Sequence, residues 1–284
     1  MGRDGQLRRP LPGVRTVVCL ALLAGGLAAA AGLGLFSGGG GRPGGLGAIG
    51  DFLAHAVHPS LVSEAPAPFG GGSLLPDLLA GVRETVVFAA AGLALAMLLG
   101  LPLGLLGSSA LSADGGSRAG RTVRTGLRLL ARGFASAVRS VHELVWAVLF
   151  LAALGRSDAA AVAALALPYA GNIAKVFAEL IDEAPRAAGL ALRAAGAPAA
   201  PAFAIGVLPR LFPDLVSFLF YEFECLLRSS AVLGFFGFPT LGYLLAGSFE
   251  NLYHGEVWTY LFALLALLLL VEGTGAAVRR RLGP

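Results

Sequence analysis

The single lysine of the chain, Lys175, stands in an apolar stretch with Asn172 and Glu179, three and four residues away, so all three share one helix face. Glu224 and Arg228, also within an apolar run, are four residues apart in the order that favours an i,i+4 pair. Glu143 opens a further apolar run. A charge at the centre of a membrane helix costs roughly 2.5 to 3.5 kcal/mol on insertion scales, so such residues are expected to pair, to snorkel, or to face a polar path. If the path carries an oxyanion, Lys175 or Arg228 can compensate its charge in passing. The plainer reading is structural: Lys175 and Glu179 snorkel at a helix end, and Glu224 and Arg228 neutralise each other.

Other chemistries are missing their residues. A phosphate-cradling GxxxxGK[ST] loop needs a lysine after glycine, and Lys175 follows Asn172-Ile173-Ala174 instead. Any ATP hydrolysis, with its Mg, must therefore sit on another chain, and no cofactor is expected on this one. The run Gly115-Gly116-Ser117-Arg118-Ala119 lacks the last glycine of a nucleophile elbow. His55 and His58 have helix-face spacing but no third ligand nearby, which favours a solvated pair over a metal site. Cys19 and Cys225 show no metal or disulfide spacing and are expected to be small buried hydrophobes.

These groups must be carried by a membrane protein. Of 284 residues 56% are hydrophobic and only 13% charged, and mean hydropathy is +0.78, too little charge to cover a soluble surface. The composition excludes a secreted disulfide scaffold, a disordered chain and a nucleic-acid binder. About six spans are expected, near 17–36, 82–106, 141–154, 159–177, 211–227 and 257–271. The first, preceded by Arg3, Arg8, Arg9 and Arg15, has the length of an anchor, with a signal peptide as the alternative. The expected organisation is an N-terminus and first helix in 1–36, a Gly/Pro-rich extracytoplasmic loop in 37–73, and a core in 74–284. Within the core, 141–154 and 159–177 read as antiparallel neighbours, 108–140 as a polar connection, 178–205 as too broken to span, and 234–255 as irregular. The spacing of Gly100 and Gly104 permits close helix approach, and Pro102 suggests a kink. Arginines concentrate at the N-terminus, in 108–140, in 178–205 and at Arg279-Arg280-Arg281, which places both termini in the cytoplasm. The net charge of +4 is thus an orientation signal.

The segment Leu190-Ala191-Leu192-Arg193-Ala194-Ala195-Gly196, followed after nine residues by Gly206-Val207-Leu208-Pro209, resembles the cytoplasmic signature of binding-protein-dependent ABC transporter permeases. Ala191, Gly196, Leu208 and Pro209 match in register; Leu190 stands where that signature has glutamate and Gly206 where it has isoleucine. Further stretches, 101–106, 142–147, 174–179, 206–209 and 232–234, resemble the phosphonate/phosphite branch of these permeases. That branch usually has a Gly-Ala-Gly-Gly-Ile-Gly run where this chain has Phe236-Gly237-Phe238-Pro239-Thr240-Leu241-Gly242. The resemblance implies an all-α, polytopic type I ABC importer permease fold in a bacterial inner membrane. It implies a coupling loop in 178–209, with Ala191, Arg193, Ala194, Gly196, Leu208 and Pro209 engaging a separate ATPase. It also implies a permease homodimer, an extracytoplasmic solute-binding protein, and a pathway for which Glu143, Asn172, Lys175, Glu179, Glu224 and Arg228 are the candidates. A lipid-linked transferase would instead gather Asp, Glu or His at one membrane face, which the sequence does not do; a membrane scaffold would show no solute-dependent ATP turnover.

Overall fold

The computed structural model describes residues 12–32, 45–66, 71–109, 117–185 and 187–282. Arg3, Arg8, Arg9, Arg42, Arg186 and the 110–116 stretch therefore lie outside the described residues. The chain divides into two compact units, Met1–Val57 and His58–Pro284. The first holds α1 (Pro12–Gly32), α2 (Gly45–Ala54) and a 3-10 turn, His55–Val57. A helix thus occupies part of the Gly/Pro-rich 37–73 stretch that composition assigns to a loop. Cys19 is exposed on α1 rather than buried, because within its unit this apolar helix leaves most of its side chains uncovered.

The second unit is built on α3 (Leu75–Gly107), α4 (Arg118–Ser140), α5 (Glu143–Leu154), α6 (Asp158–Glu183), α7 (Ala187–Ala194), α8 (Ala199–Gly206), α9 (Leu208–Val232), α10 (Leu241–Glu250) and α11 (His254–Leu282). Its centre is α6, capped by Ser157, whose Oγ accepts the Ala160 N–H at 3.2 Å. Packed against it along most of its length, α3 continues as a helix through Pro102. The seam depends on small residues: a β-carbon at Gly100 would lie 2.7 Å from the Ala170 carbonyl oxygen, and one at Gly104 2.7 Å from that of Ala174. In a bilayer, where apolar surface gains little from leaving lipid, such backbone approach supplies the packing that holds helices together. On the other side of the seam, Phe88, Leu165, Tyr169, Ile173, Leu226 and Leu227 join α3, α6 and α9 in one buried core.

Where sequence patterning gives a polar connection, the structure has the helix α4. Most of its residues are exposed, while Ala131, Ala135 and Val138 are buried against α6, whose Gly171 admits the Ala135 carbonyl. The helical alternation of alanine and arginine carries this amphipathic signal. Ten residues of the 234–255 stretch are likewise helical, as α10. This corner is tied tightly: Ser230 donates to the Thr85 carbonyl at 2.9 Å, the Leu241 N–H donates to Thr85 Oγ1 at 3.0 Å, and Thr240 donates to the Ala231 carbonyl at 3.2 Å.

Among the described residues three helices are long and apolar enough to cross a membrane: Leu75–Gly107, Asp158–Glu183 and His254–Arg281. The number rises to at most five if each of two bent pairs is counted as one span: Arg118–Ser140 with Glu143–Leu154 at 90°, and Ala200–Gly206 with Leu208–Phe236 at 61°. The first expected span, 17–36, falls on the shorter apolar helix Thr16–Gly32, with 33–36 outside the described residues. Alone, α5 rises only about 18 Å, short of the roughly 30 Å of a hydrocarbon core, so the run 141–154 does not span by its own length.

Candidate functional site

The segment 187–206 folds as a helical hairpin. Ala197 N–H reaches back to the Leu192 carbonyl at 3.0 Å and Gly196 N–H to that of Arg193 at 3.0 Å, the two bonds of a Schellman turn. Gly196 stands at φ +92°, the left-handed region in which a side chain is strained, and α7 ends there. Ala191, Arg193 and Ala194 are exposed on α7. The return helix α8 closes on α7 so tightly that a β-carbon at Gly206 would lie 2.8 Å from the Gly189 nitrogen. Glycine at this position, a departure from the signature, is thus what the close crossing requires. Leu208 and Pro209 begin α9, with proline in its first turn, where a missing N–H costs nothing. The hairpin leaves apolar Leu190 (62% exposed) and Ile205 (70%) uncovered.

Six charged or polar residues were expected along one path; the structure distributes them into three groups. Glu143, in the first turn of α5, accepts the Ser229 hydroxyl at Oε1, 3.0 Å, and Ser229 in turn shares a 2.9 Å hydrogen bond with the Tyr169 hydroxyl. This chain of three polar groups stitches α5, α6 and α9. Glu224 and Arg228 pair at 3.2 Å, and Arg228 Nη2 also donates to Cys225 Sγ at 3.4 Å. Half-buried Asn172 precedes Lys175 and Glu179, which pair at 3.5 Å with both side chains about half exposed. Lys175 and Glu179 line a cavity of about 140 Å³ between α3, α4 and α6, together with Gly107, Arg132, Ser136 and Arg139. Among the described residues no three His, Cys, Asp or Glu side chains gather as a metal site would need.

Sequence reasoning missed two features. Asp182 collects Arg128 at 3.0 Å and Arg132 at 2.8 Å through Oδ2, and the Ser109 N–H at 2.6 Å through Oδ1. The Nε atoms of both arginines donate to the Gly107 carbonyl, at 3.1 and 2.7 Å. The knot binds α4 to the C-terminal ends of α3 and α6, where cations are favoured by the helix dipole. Arg128 and Arg132 stand one helical turn apart, but the acid they meet is one of three at the end of α6, Glu179, Asp182 and Glu183, and nothing local singles it out. Glu222 is 3% exposed, and its Oε2 has no hydrogen-bond partner among the described residues. The neighbouring Glu224 drew attention because it had a visible partner, whereas a buried carboxyl without one leaves no spacing to find.

Residues 115–283 match the sequence pattern of the family described as binding-protein-dependent transport system inner membrane component. The phosphite transport system permease protein PtxC of Stutzerimonas stutzeri is 34% identical over 151 residues, 53% of this chain and 55% of that protein. A putative phosphite transport system permease protein of the same organism, HtxE, is 33% identical over 54% of this chain and 58% of that one. The chain thus aligns with little more than half the length of these two relatives. The phosphate-import permease protein PhnE of Mycolicibacterium smegmatis is 29% identical over 72% of this chain and 37% of its own. Among solved structures, the inward-facing MetNI methionine ABC transporter superposes with a TM-score of 0.63 at 23% identity, over 74% of this chain and 98% of that chain. An amino acid ABC transporter crystallised with histidines gives 0.61 at 20%, over 73% and 94%.

Proposed function

The chain belongs to the family of binding-protein-dependent transport system inner membrane components, a multi-pass membrane protein with the type I importer permease fold, and we propose that it forms the translocation pathway for a phosphite- or phosphonate-type oxyanion. Two copies of the chain would enclose the path, a soluble extracytoplasmic receptor would deliver cargo, and separate ATPase subunits would hold ATP and Mg. The chain itself is a transport subunit and not an enzyme. Both termini and the 187–206 hairpin lie in the cytoplasm in this reading, following the arginines of α4 and Arg279-Arg280-Arg281.

The observation that carries the proposal is the hairpin. It is a local unit packed on the start of α9, turned at Gly196 and presenting exposed Leu190 and Ile205 at the arginine-rich end of the bundle. An apolar patch at that place fits a groove on a partner, and movement of the partner would be passed to α9 as a rigid body. Alternating access then needs only rocking of packed helices around a central path. The polar groups of the spans serve such a path with little net charge: Lys175 is held by Glu179 and Arg228 by Glu224, so an anion can exchange for the carboxylate in passing. Glu143 on α5 and Asn172 on α6 supply acidic and neutral contacts beside them. The names of the relatives support an oxyanion as cargo.

Co-expression with candidate ATPase and receptor chains, reconstitution, and measurement of ATP hydrolysis with the receptor loaded by phosphonate, phosphite, phosphate or nothing test the reading. Stimulation by phosphite- or phosphonate-loaded receptor is expected. Failure to form any complex with an ATPase overturns it.

A further inference from the structure

The cavity at the arginine-rich end of α3, α4 and α6 is lined by three cations, Arg132, Arg139 and Lys175, one acid, Glu179, and the hydroxyl-bearing Ser136. Arg132 is fixed by Asp182 and the Gly107 carbonyl, at 2.8 and 2.7 Å, and cannot swing away. Arg139 has no ion-pair partner among the described residues. It is held near α6 because Gly171 lets α4 approach: a β-carbon there would lie 3.2 Å from the Arg139 Cβ. Arg132 and Lys175 are each about half exposed, so an anion can reach these cations from solvent. At about 140 Å³ the space admits several water-sized groups, enough for a five-atom ion.

We propose that this cavity is a binding site for a tetrahedral phosphate-class oxyanion, held by Arg139, Lys175 and Ser136 and selected by Glu179. The choice of free ion as ligand rests on the transport reading above; the shared chemistry, a phosphate group, could equally be presented by a lipid headgroup. A guanidinium fork and an ammonium are the groups that grip such an ion. Glu179 adds selectivity, because an ionised carboxylate only accepts hydrogen bonds. Phosphate-class ions retain an acidic O–H in part near neutral pH and can donate it to Glu179. Sulfate has none to give and meets repulsion.

The test uses the full chain, without ATPase or receptor, in phosphatidylcholine nanodiscs with radiolabelled inorganic phosphate as probe. Saturable binding of about one ion per chain is expected, weakened at least about tenfold by Arg139→Gln or Lys175→Gln and unchanged by Arg121→Gln on the exposed face of α4. Arg139→Lys keeps the charge and should retain most of the binding, which separates loss of the ion from loss of folding. Phosphite and methylphosphonate should compete and sulfate should not, until Glu179→Gln lets sulfate in. In a second arm, nanodiscs containing phosphatidylglycerol are examined by native mass spectrometry. Retention of that lipid by the parent chain but not by the two glutamine variants, with free phosphate excluded, assigns the same site to a headgroup. Absence of saturable phosphate binding together with lipid retention that ignores Arg139 and Lys175 overturns the site. Receptor-stimulated ATP hydrolysis is measured in parallel: stimulation without phosphate bound removes this site and leaves the transport reading, and bound phosphate without stimulation does the reverse.

Discussion

Along the seam between α3 and α6, and again at the tip of the α7–α8 hairpin, the sequence places glycine, yet the two places ask different things of it. In the seam the requirement is space. Gly100 and Gly104 face carbonyl oxygens some seventy residues away in sequence, at distances that leave no room for a side chain. At the hairpin tip the requirement is conformation: a β-carbon on Gly196 would meet nothing within 4 Å, but the residue stands at φ +92°. The seam belongs to the whole bundle, and the tip belongs only to its own turn. A protein that must move as packed bodies and still engage a partner needs both kinds of place, one that does not yield and one that can be altered without unfolding the rest.

Gly104→Val presses hardest on this contrast. The added β-carbon would sit 2.7 Å from the Ala174 oxygen and 3.1 Å from its Cα, backbone that can yield only if α3 and α6 separate. A loss of about 3 kcal/mol or more is expected, read as disappearance of the monodisperse peak in detergent. Survival with an unchanged melting temperature would show that the seam is not the rigid element. Asp182→Asn comes next. It leaves Arg128 and Arg132 facing a neutral amide at the ends of α3 and α6, and about 2 kcal/mol should be lost. Combining it with Arg132→Gln should cost less than the sum of the single changes, and strict additivity would remove the knot from the packed region.

The contrast also explains what could be read before folding. Apolar runs located every expected span on a helix, and the Gly100/Gly104 spacing foretold a close approach, because both signals are local and periodic. The helix α4 escaped because its arginines masked the buried Ala131, Ala135 and Val138, so that charge weighed more than period. The bend at 141–142 is held by Trp146 Nε1 donating to the Val138 carbonyl at 3.0 Å, a tie no apolar pattern announces, and α10 depends on a distant one, the Leu241 N–H donating to Thr85 Oγ1. In the candidate site, Gly196 stood out through the resemblance to the permease signature, not through any pattern of its own. Gly206 looked like a defect until Gly189 appeared against it. Glu222, whose Oε2 has no hydrogen-bond partner among the described residues, and the Asp182 knot, with partners 50 and 54 residues away, have no local signature.

Gly196→Asp tests the yielding side. Strain in the left-handed region costs about 1 kcal/mol, and with open space around it the residue should leave the bundle inserted and folded. Coupling should suffer far more than stability: receptor-stimulated ATP hydrolysis is expected to fall to the basal rate while the melting temperature drops only slightly. Normal stimulation would mean that the tip is not where the partner engages.

Arg228→Gln is the smallest expected change and probes α9, the helix that touches both regions. Arg228 is half exposed and its pair with Glu224 is an i,i+4 contact on one helix, a type of pair that contributes only about 0.3 to 0.5 kcal/mol. Its removal should therefore leave stability and complex formation nearly unchanged. If the guanidinium compensates an anion in passing, uptake into proteoliposomes should slow while ATPase association is preserved, and Arg228→Lys should restore part of the rate because the charge returns without the fork. A loss of folding instead would assign Arg228 to the packed bundle and strengthen the division between the two regions. Equal uptake by all three forms would place the moving anion elsewhere on the path, leaving Lys175 as the remaining cation among the six candidates.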